Sequence, residues 1–273
     1  GGRRTIKEDG NVAIRSLEAL EKACENKNIY DVILEDDCLE RGVTREESEK
    51  KMADLYAAIQ HSAQNYTPTL RSASGMAGGD GAKMRSYVKA GKTICGEELG
   101  QVIAQALEMG ENNACMKCIV AAPTAGSCGV MPAVLLPYQK RMGLSDEEMA
   151  RALYIAGAIG QTVASKASIA GAAGGCQAEI GTASAMAAGA LVSLRGGTNE
   201  QIGHAVAMAL KNLMGLVCDP VAGLVEVPCV KRNVIGAVNA ISAADMALAG
   251  IESRIPVDEV IDAMGEVGRR MPV

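Results

Sequence analysis

The chain has 273 residues and a formal net charge of -5 at pH 7, with acidic and basic residues mixed along its length. It carries no basic stripe that could neutralise a phosphate backbone, so the sequence argues against nucleic-acid binding. Its longest apolar stretches fall short of the roughly 18 residues that a bilayer-spanning helix needs, and no apolar signal core precedes them, so we expect neither a membrane span nor export.

Helices dominate the predicted elements. The first spans residues 11–24. Three later helices are predicted to begin at Thr44, Ser145 and Thr198, because each of these is followed three residues on by Glu or Gln, the spacing of a capping box. A last helix covers residues 257–267. Convincing period-two alternation is scarce, so the sequence predicts an all-α fold.

A shift in composition near residues 61–68 predicts a soft boundary between a charged N-terminal helical segment, residues 1–62, and an Ala- and Gly-rich helical body, residues 63–273. Because the chain has no Phe and no Trp, its core must be built from smaller side chains. Function is expected where the backbone leaves the helices and is free to bind ligands. Four irregular segments are predicted: residues 69–83, 121–132, 168–181 and 218–232.

The nine cysteines form an odd set in a chain without an export signal, so free thiols or thiolate ligands in a reducing cytoplasm explain them better than disulfides do. Cys115 and Cys118 form a lone CxxC, interpreted as buried helical thiols. Four more cysteines are interpreted as structural: Cys24, Cys38, Cys95 and Cys128.

The remaining three cysteines lie in irregular segments. Cys176 follows the glycines of the stretch SIAGAAGGCQAE, residues 168–179. Little bulk would crowd a cluster there, and backbone N–H groups can stabilise thiolate charge. Cys218 and Cys229 lie in GLVCDPVAGLVEVPC, whose two prolines stiffen the loop and can hold two sulfurs at a fixed separation. Spacing alone leaves both metal ligation and inert packing open and favours packing, because the pattern is not that of a ferredoxin.

Three further stretches complete a recognisable set: AAPTAGSCGVMP at residues 121–132, LRSASGMAGGDGAK at 70–83 and YDVILEDDC at 30–38. Together with the cysteine segments they closely resemble the alpha chain of iron-sulfur L-serine dehydratases, over nearly the whole chain. The resemblance implies that Cys176, Cys218 and Cys229 ligate a 4Fe-4S cluster in a mainly helical catalytic domain. It also implies a separate beta subunit, and we expect an oligomer. Three cysteines leave such a cluster one ligand short, which would open one iron to substrate.

The activity that the resemblance implies is elimination of water from L-serine to give pyruvate and ammonia, with the open iron as Lewis acid. The substrate carboxylate and amine would bind to short hydroxyls and backbone N–H groups of the Gly-bearing loops. The substrate-binding candidates are Ser74, Gly75, Thr124 and Ser127, and the catalytic candidates are Ser127, Thr124 and Lys83. Turn or cap roles for the hydroxyls and a surface role for Lys83 stay open. The base for the α proton is not identified, and His204, on an apolar helix, is interpreted as structural.

Three rival functions stay open. A pyridoxal-phosphate enzyme would cradle phosphate with residues 171–175 and form its imine on Lys83 or Lys166, and it should show an α/β strand pattern. A related cluster lyase acting on cysteine or threonine would use the same loops. A non-catalytic helical subunit would use its cysteines for packing alone.

Overall fold

The computed structural model describes residues 15–25 and 27–271. The predicted all-α class is confirmed for these residues, which form helices and no β-strand. Residues 11–14 of the first predicted helix lie outside the described residues. The α-helices are α1 (Leu17–Ala23), α2 (Ile29–Arg41), α3 (Arg45–Gln64), α4 (Asp80–Lys89), α5 (Gly96–Ala114), α6 (Val130–Met142), α7 (Asp146–Lys166), α8 (Gly171–Cys176), α9 (Thr182–Leu194), α10 (Asn199–Asn212), α11 (Cys229–Leu248) and α12 (Val257–Arg270).

The three predicted helix starts are confirmed. Thr44, Ser145 and Thr198 are the N-caps of α3, α7 and α10, and each forms a complete capping box. In each box the cap hydroxyl accepts a backbone N–H of the first turn while the Glu or Gln side chain accepts the N–H of the cap residue, so two otherwise unpaired donors are satisfied.

Helix α9 forms the centre of the fold, packed against α7, α10 and α11. It is buried over most of its length and consists mainly of small residues. Such residues let neighbouring helices approach closely: a Cβ placed on Gly189 would lie 2.3 Å from Cδ1 of Ile159. The main core runs from Leu17 in α1 through Tyr56 in α3 to Met264 in α12, so it crosses the predicted boundary near residue 62. The boundary itself stays a prediction.

Residues 168–181 differ from the irregular segment expected there. They contain the short helix α8 and a π-helical turn, Gln177–Gly181, that leads directly into α9. The helical path is broken at one residue, Gly175, whose φ is 76° and ψ 175°. Residues 69–79 are non-helical up to the start of α4, and a short 3-10 turn, Val221–Gly223, interrupts the segment that precedes α11.

The π-helical turn, the start of α11 and a 3-10 turn at Ala125–Ser127 contact one another. The predicted cysteine segments and the predicted hydroxyl segment therefore meet at one end of the helices. Across the described part of the chain, no helix is both long and apolar enough to cross a membrane.

Candidate functional site

Cys176 lies directly after the break at Gly175, and the break brings it against the loop that carries Cys218. A φ of 76° is in the left-handed region that glycine favours. A Cβ at Gly175 would lie 2.7 Å from the carbonyl oxygen of Leu216. The backbone N–H of Gln177 donates to that same carbonyl at 3.0 Å. The absence of a side chain at residue 175 therefore permits the close approach of the two cysteine segments.

Arg232 joins these two segments to the third cysteine. It lies on α11 about one turn after Cys229. Its Nη1 donates to Cys176 Sγ at 3.1 Å and to the Val217 carbonyl at 3.1 Å, and it also pairs with the Asp219 carboxylate. The side chain of Arg232 is 15% exposed. The three cysteine segments thus meet around one guanidinium group.

The three thiols are free and differ in exposure: Cys176 is buried, Cys229 partly buried and Cys218 exposed. Burial raises the pKa of the Cys176 thiol to about 11, while Arg232 acts in the opposite direction. Burial is also the main cause that raises the pKa of Cys229, and the negative charge of Glu179 raises it further. The charge of Cys218 raises the pKa of both other thiols, so the three groups are near enough to interact.

The chemistry of the donors can be compared with that of a metal cofactor. Within residues 15–25 and 27–271, no three side chains of His, Cys, Asp or Glu are grouped closely enough to hold one ion. The three cysteines offer thiolates, which are the ligands that iron-sulfur clusters take, with each cysteine bound to a different iron. Cys176, Cys218 and Cys229 could hold such a group.

The predicted hydroxyl segment lies beside Cys229 because Asn233 of α11 binds both. Asn233 Oδ1 accepts the N–H of Gly129 at 2.8 Å. Its Nδ2 donates to the carbonyls of Gly126 at 2.9 Å and Cys229 at 3.0 Å. Asn233 is almost fully buried, and these bonds satisfy both ends of its amide. Sequence reasoning missed this residue because Gly129 and Gly126 are 104 and 107 residues away from it in the chain.

Glu179 is a further site residue that sequence reasoning missed. Its carboxylate accepts the hydroxyl of Thr124 at 2.7 Å. Two glycines leave it room: a Cβ at Gly171 would lie 2.5 Å from Oε2, and one at Gly126 would lie 3.2 Å from Oε1. A single charged residue within the Ala- and Gly-rich stretch 168–190 was the signal that could have identified it.

Ser127 and Thr124 differ in what they can offer to a ligand. Ser127 is fully buried, and its Oγ donates to the Ala122 carbonyl at 3.2 Å and accepts the Thr124 N–H at 3.3 Å. These bonds occupy Ser127 within its own turn. Thr124 is half-buried, and once its hydroxyl donates to Glu179 the oxygen still has lone pairs to accept a bond.

Ser74 and Gly75 lie in a second polar cluster, centred on the buried carboxylate of Glu226. Ser72 Oγ donates to Glu226 Oε2 at 2.7 Å, and Ser74 Oγ donates to the same oxygen. The N–H of Gly75 donates to the Ser72 carbonyl at 2.9 Å in a tight turn. Because Glu226 precedes Cys229 by three residues, these bonds attach the loop at residues 70–79 to the cysteine region.

Neither candidate lysine lies with the thiols. Lys83 is 77% exposed and pairs with Asp80 at 2.8 Å. Within the described part of the chain, Lys83 makes no hydrogen bond or ion pair with any of the three cysteines. Lys166 pairs with Asp258 at 3.0 Å, and the strands that a pyridoxal-phosphate fold requires are absent from residues 15–25 and 27–271.

The expectation of buried helical thiols at the CxxC is wrong. Cys115 follows the end of α5, and Cys118 is exposed in a non-helical segment, because the chain leaves the helix at Met116 with a φ of 60°. Cys24 and Cys128 are buried, as structural thiols would be, whereas Cys95 is exposed. His204 is partly buried and its Nδ1 accepts the Ser253 N–H at 3.4 Å.

A groove of about 960 Å³ lies apart from this site. Residues from the C-terminal halves of α9 and α11 line the groove, for example Leu191 and Ile241. The three cysteines lie instead before the start of α9 or at or before the start of α11. None of the predicted site residues lines the groove. We therefore place the candidate site at the thiols and their polar neighbours.

In its described residues the chain is helical, and the segments that carry Cys176, Cys218 and Cys229 lie together around Arg232. The family described as Serine dehydratase alpha chain matches residues 24–273. The probable L-serine dehydratase alpha chain of Bacillus subtilis is 47% identical over 260 residues, which cover 94% of this chain and 87% of that protein. The chain belongs to the serine dehydratase alpha chain family, and the resemblance noted from its sequence is confirmed.

Other relatives show two chain lengths. The L-serine dehydratase alpha chain of Peptoniphilus asaccharolyticus is 45% identical over 244 residues, 89% of this chain and 84% of that protein. The Escherichia coli L-serine dehydratase TdcG is 46% identical over 168 residues, 61% of this chain but 37% of that protein. The region shared with this chain is therefore a minor part of the longer E. coli protein.

Proposed function

We propose that this chain is the catalytic alpha chain of an L-serine dehydratase, a cytoplasmic carbon-oxygen lyase that works with a beta subunit to release pyruvate and ammonia from L-serine. Relatives named as alpha chains of this enzyme match most of the chain. The observation that carries the proposal is that Arg232, on the helix that Cys229 begins, binds both the Cys176 thiol and the carbonyl of Val217 next to Cys218.

The cofactor proposed for this site is a 4Fe-4S cluster held by these three thiolates. When bound, such a cluster would supply a Lewis acid for the substrate hydroxyl, which is otherwise a poor leaving group. Thiolate ligation requires loss of the thiol protons. The raised pKa of Cys176 makes that loss unfavourable in the apoprotein, and the guanidinium of Arg232 offsets part of the cost.

The residues of this chain would bind and orient L-serine. Thr124 and Glu179 together offer acceptor oxygens and a negative charge, which suit the ammonium group of the substrate. Ser127, whose Oγ is hydrogen-bonded within its own turn, would shape the turn that presents Thr124. Ser74 and Gly75 would bound the substrate region from the loop at residues 70–79. Lys83 would act from the start of α4, where it forms an exposed ion pair with Asp80.

The test is anaerobic reconstitution with iron and sulfide, with and without the beta subunit, followed by assay of pyruvate from L-serine. We expect activity only in the loaded two-chain enzyme. L-threonine and L-cysteine serve as comparison substrates, with sulfide release measured for cysteine. Faster turnover of cysteine would favour the related lyase, and a loaded complex inactive on all three amino acids would contradict the proposal.

A further inference from the structure

We propose that Arg232 is a positioning residue that fixes the relative places of the three cysteines, so that the thiols stand ready before a cluster binds. The inference rests on the proposed cluster function. Its basis is that one guanidinium nitrogen contacts the Cys176 thiol and the backbone one residue before Cys218, while the same side chain is carried by the helix that Cys229 begins.

The geometry makes Arg232 the link between elements that are remote in sequence. Cys229 and Arg232 are three residues apart on α11, so their side chains lie on neighbouring positions of the helix surface. Cys176 is 56 residues from Arg232, and Val217 is 15 residues from it. A single side chain thus fixes a thiol, a loop carbonyl and, through Asp219, a loop carboxylate relative to α11.

The loop that carries Cys218 needs such an anchor. Residues 217–219 are exposed, so few apolar contacts hold them in place. The backbone bond from Gln177 to the Leu216 carbonyl ties one end of this loop to Cys176. A second backbone bond, from the Val221 N–H to the Val227 carbonyl at 2.8 Å, ties the other end of the loop to the segment before Cys229. Between these two backbone bonds, Arg232 binds the Val217 carbonyl and the Asp219 carboxylate and so anchors the exposed residues to α11. Hydrogen bonds from a charged donor are stronger than those between neutral groups. The guanidinium of Arg232 is such a donor and is only 15% exposed, so its bonds are suited to hold the loop.

The side chain chemistry at residue 232 suits several partners at once. A guanidinium has five N–H donors in a fixed plane and stays charged, whereas an ammonium is a compact point charge that is more strongly hydrated. The charge also matters for ligation, because three thiolates add negative charge and Arg232 supplies a compensating cation next to Cys176.

The neighbouring Lys231 is 69% exposed and pairs with Asp80 at 3.4 Å, which makes it a matched control on the same helix.

The experiment compares the full-length wild-type chain with Arg232→Gln, Arg232→Lys and Lys231→Gln. Amide hydrogen exchange is measured on each anaerobic apoprotein, and iron and acid-labile sulfide are then measured after a fixed reconstitution time in the presence of the beta subunit. In Arg232→Gln we expect exchange of the hydrogen-bonded amides of Gly215, Leu216 and Val221, which border the exposed residues of the loop, to rise about tenfold, as loss of a charge-assisted anchor predicts. Iron and sulfide uptake should fall in parallel, Arg232→Lys should be intermediate, and Lys231→Gln should match the wild type.

Wild-type exchange and wild-type loading in Arg232→Gln would overturn the inference. If that variant loses its helical circular dichroism, Arg232→Lys and Asp219→Asn carry the test, since both keep a side chain of similar size and Asp219→Asn should loosen only the loop. If the wild type itself takes up no iron and sulfide, the proposed cofactor fails. The exchange comparison would still decide whether Arg232 positions the loop.

Discussion

Two glutamates flank the cysteine region in related ways, yet their surroundings differ. Glu179 follows Cys176 by three residues and accepts one hydroxyl, that of Thr124. Glu226 precedes Cys229 by three residues and accepts two, from Ser72 and Ser74. Glu226 is buried at 7% exposure, whereas Glu179 is partly exposed.

The difference separates a structural role from a role in binding. A buried carboxylate needs hydrogen-bond donors to offset its desolvation, and the two serines supply them. Their bonds to Glu226 form a clamp, that is, a polar connection between the loop at residues 70–79 and the segment before α11. Glu179 keeps acceptor positions and contact with solvent, and its charge reaches Cys176 and Cys229. The same residue type therefore serves folding at one position and, in our proposal, substrate binding at the other.

Replacing Glu179 should give the largest effect. Glu179→Gln can still accept the Thr124 hydroxyl but loses the charge proposed to bind the substrate ammonium. Removing one charged hydrogen bond of this kind predicts a fall in kcat/KM of about 10-fold to 100-fold. Pyruvate formation by the reconstituted two-chain enzyme measures it, with iron content as the control. Wild-type kcat/KM in a fully loaded Glu179→Gln enzyme would remove the distinction between the two glutamates.

Displacing the same carboxylate without removing it gives a sharper version of the test. In Gly171→Ala the new Cβ would lie 2.5 Å from Glu179 Oε2, so the flexible carboxylate must shift from its present position. We expect a loss of kcat/KM of about tenfold, since the shift weakens one hydrogen-bonded contact. Gly157→Ala is the matched control, because an added Cβ there meets no described atom within 4 Å. Equal kinetics in the two alanine variants would argue against a need for the present carboxylate position.

Glu226→Gln should instead act on stability. The amide oxygen can still accept both hydroxyls, but the two bonds lose the negative charge that strengthens them, so the free energy of unfolding should fall by about 1–3 kcal/mol. Urea unfolding of the apoprotein, followed by circular dichroism, measures this loss. Activity per bound cluster should be retained below the unfolding transition. Unchanged stability with strongly reduced activity would reverse the roles assigned to the two glutamates.

The smallest effect concerns pH. Burial raises the pKa of Cys176 from 9.0 to about 11 in the folded apoprotein. Because the unfolded thiol ionises first, the contribution of this group to stability is complete below pH 9 and is lost as pH rises toward 11. The free energy of unfolding should therefore fall more steeply over this range in the wild type and in Cys95→Ser than in Cys176→Ser. Identical slopes in all three proteins would show that Cys176 is not buried as described.

Local sequence signals predicted much of the fold. The capping boxes at Thr44, Ser145 and Thr198 are complete in the structure because they depend on residues three apart, which a sequence displays directly. The small residues of α9 likewise indicated close helix packing. The exit of the chain from α5 at Met116 was missed, since nothing in the local pattern requires a positive φ there.

The site was predicted only in part, because its contacts join distant positions. The sequence suggested Cys176, Cys218 and Cys229 as a set, but not the contact between Arg232 and Cys176 across 56 residues. The sequence places Gly175 in a Gly-rich loop. That it leaves room for the Leu216 carbonyl depends on the tertiary fold, which the local sequence does not display. Glu179 was visible in the motif, and its role became apparent only once Thr124 lay beside it.

The central proposal is that three cysteines from three segments hold one cluster, and its most direct test is the iron and acid-labile sulfide content after anaerobic reconstitution with the beta subunit. The wild type and Cys95→Ser should each bind about four irons and four sulfides per chain, as expected for a 4Fe-4S cluster. Cys218→Ser, which removes the exposed member of the trio, should lose most of both. A wild type without iron, or a Cys218→Ser variant with a full complement, would contradict the proposal.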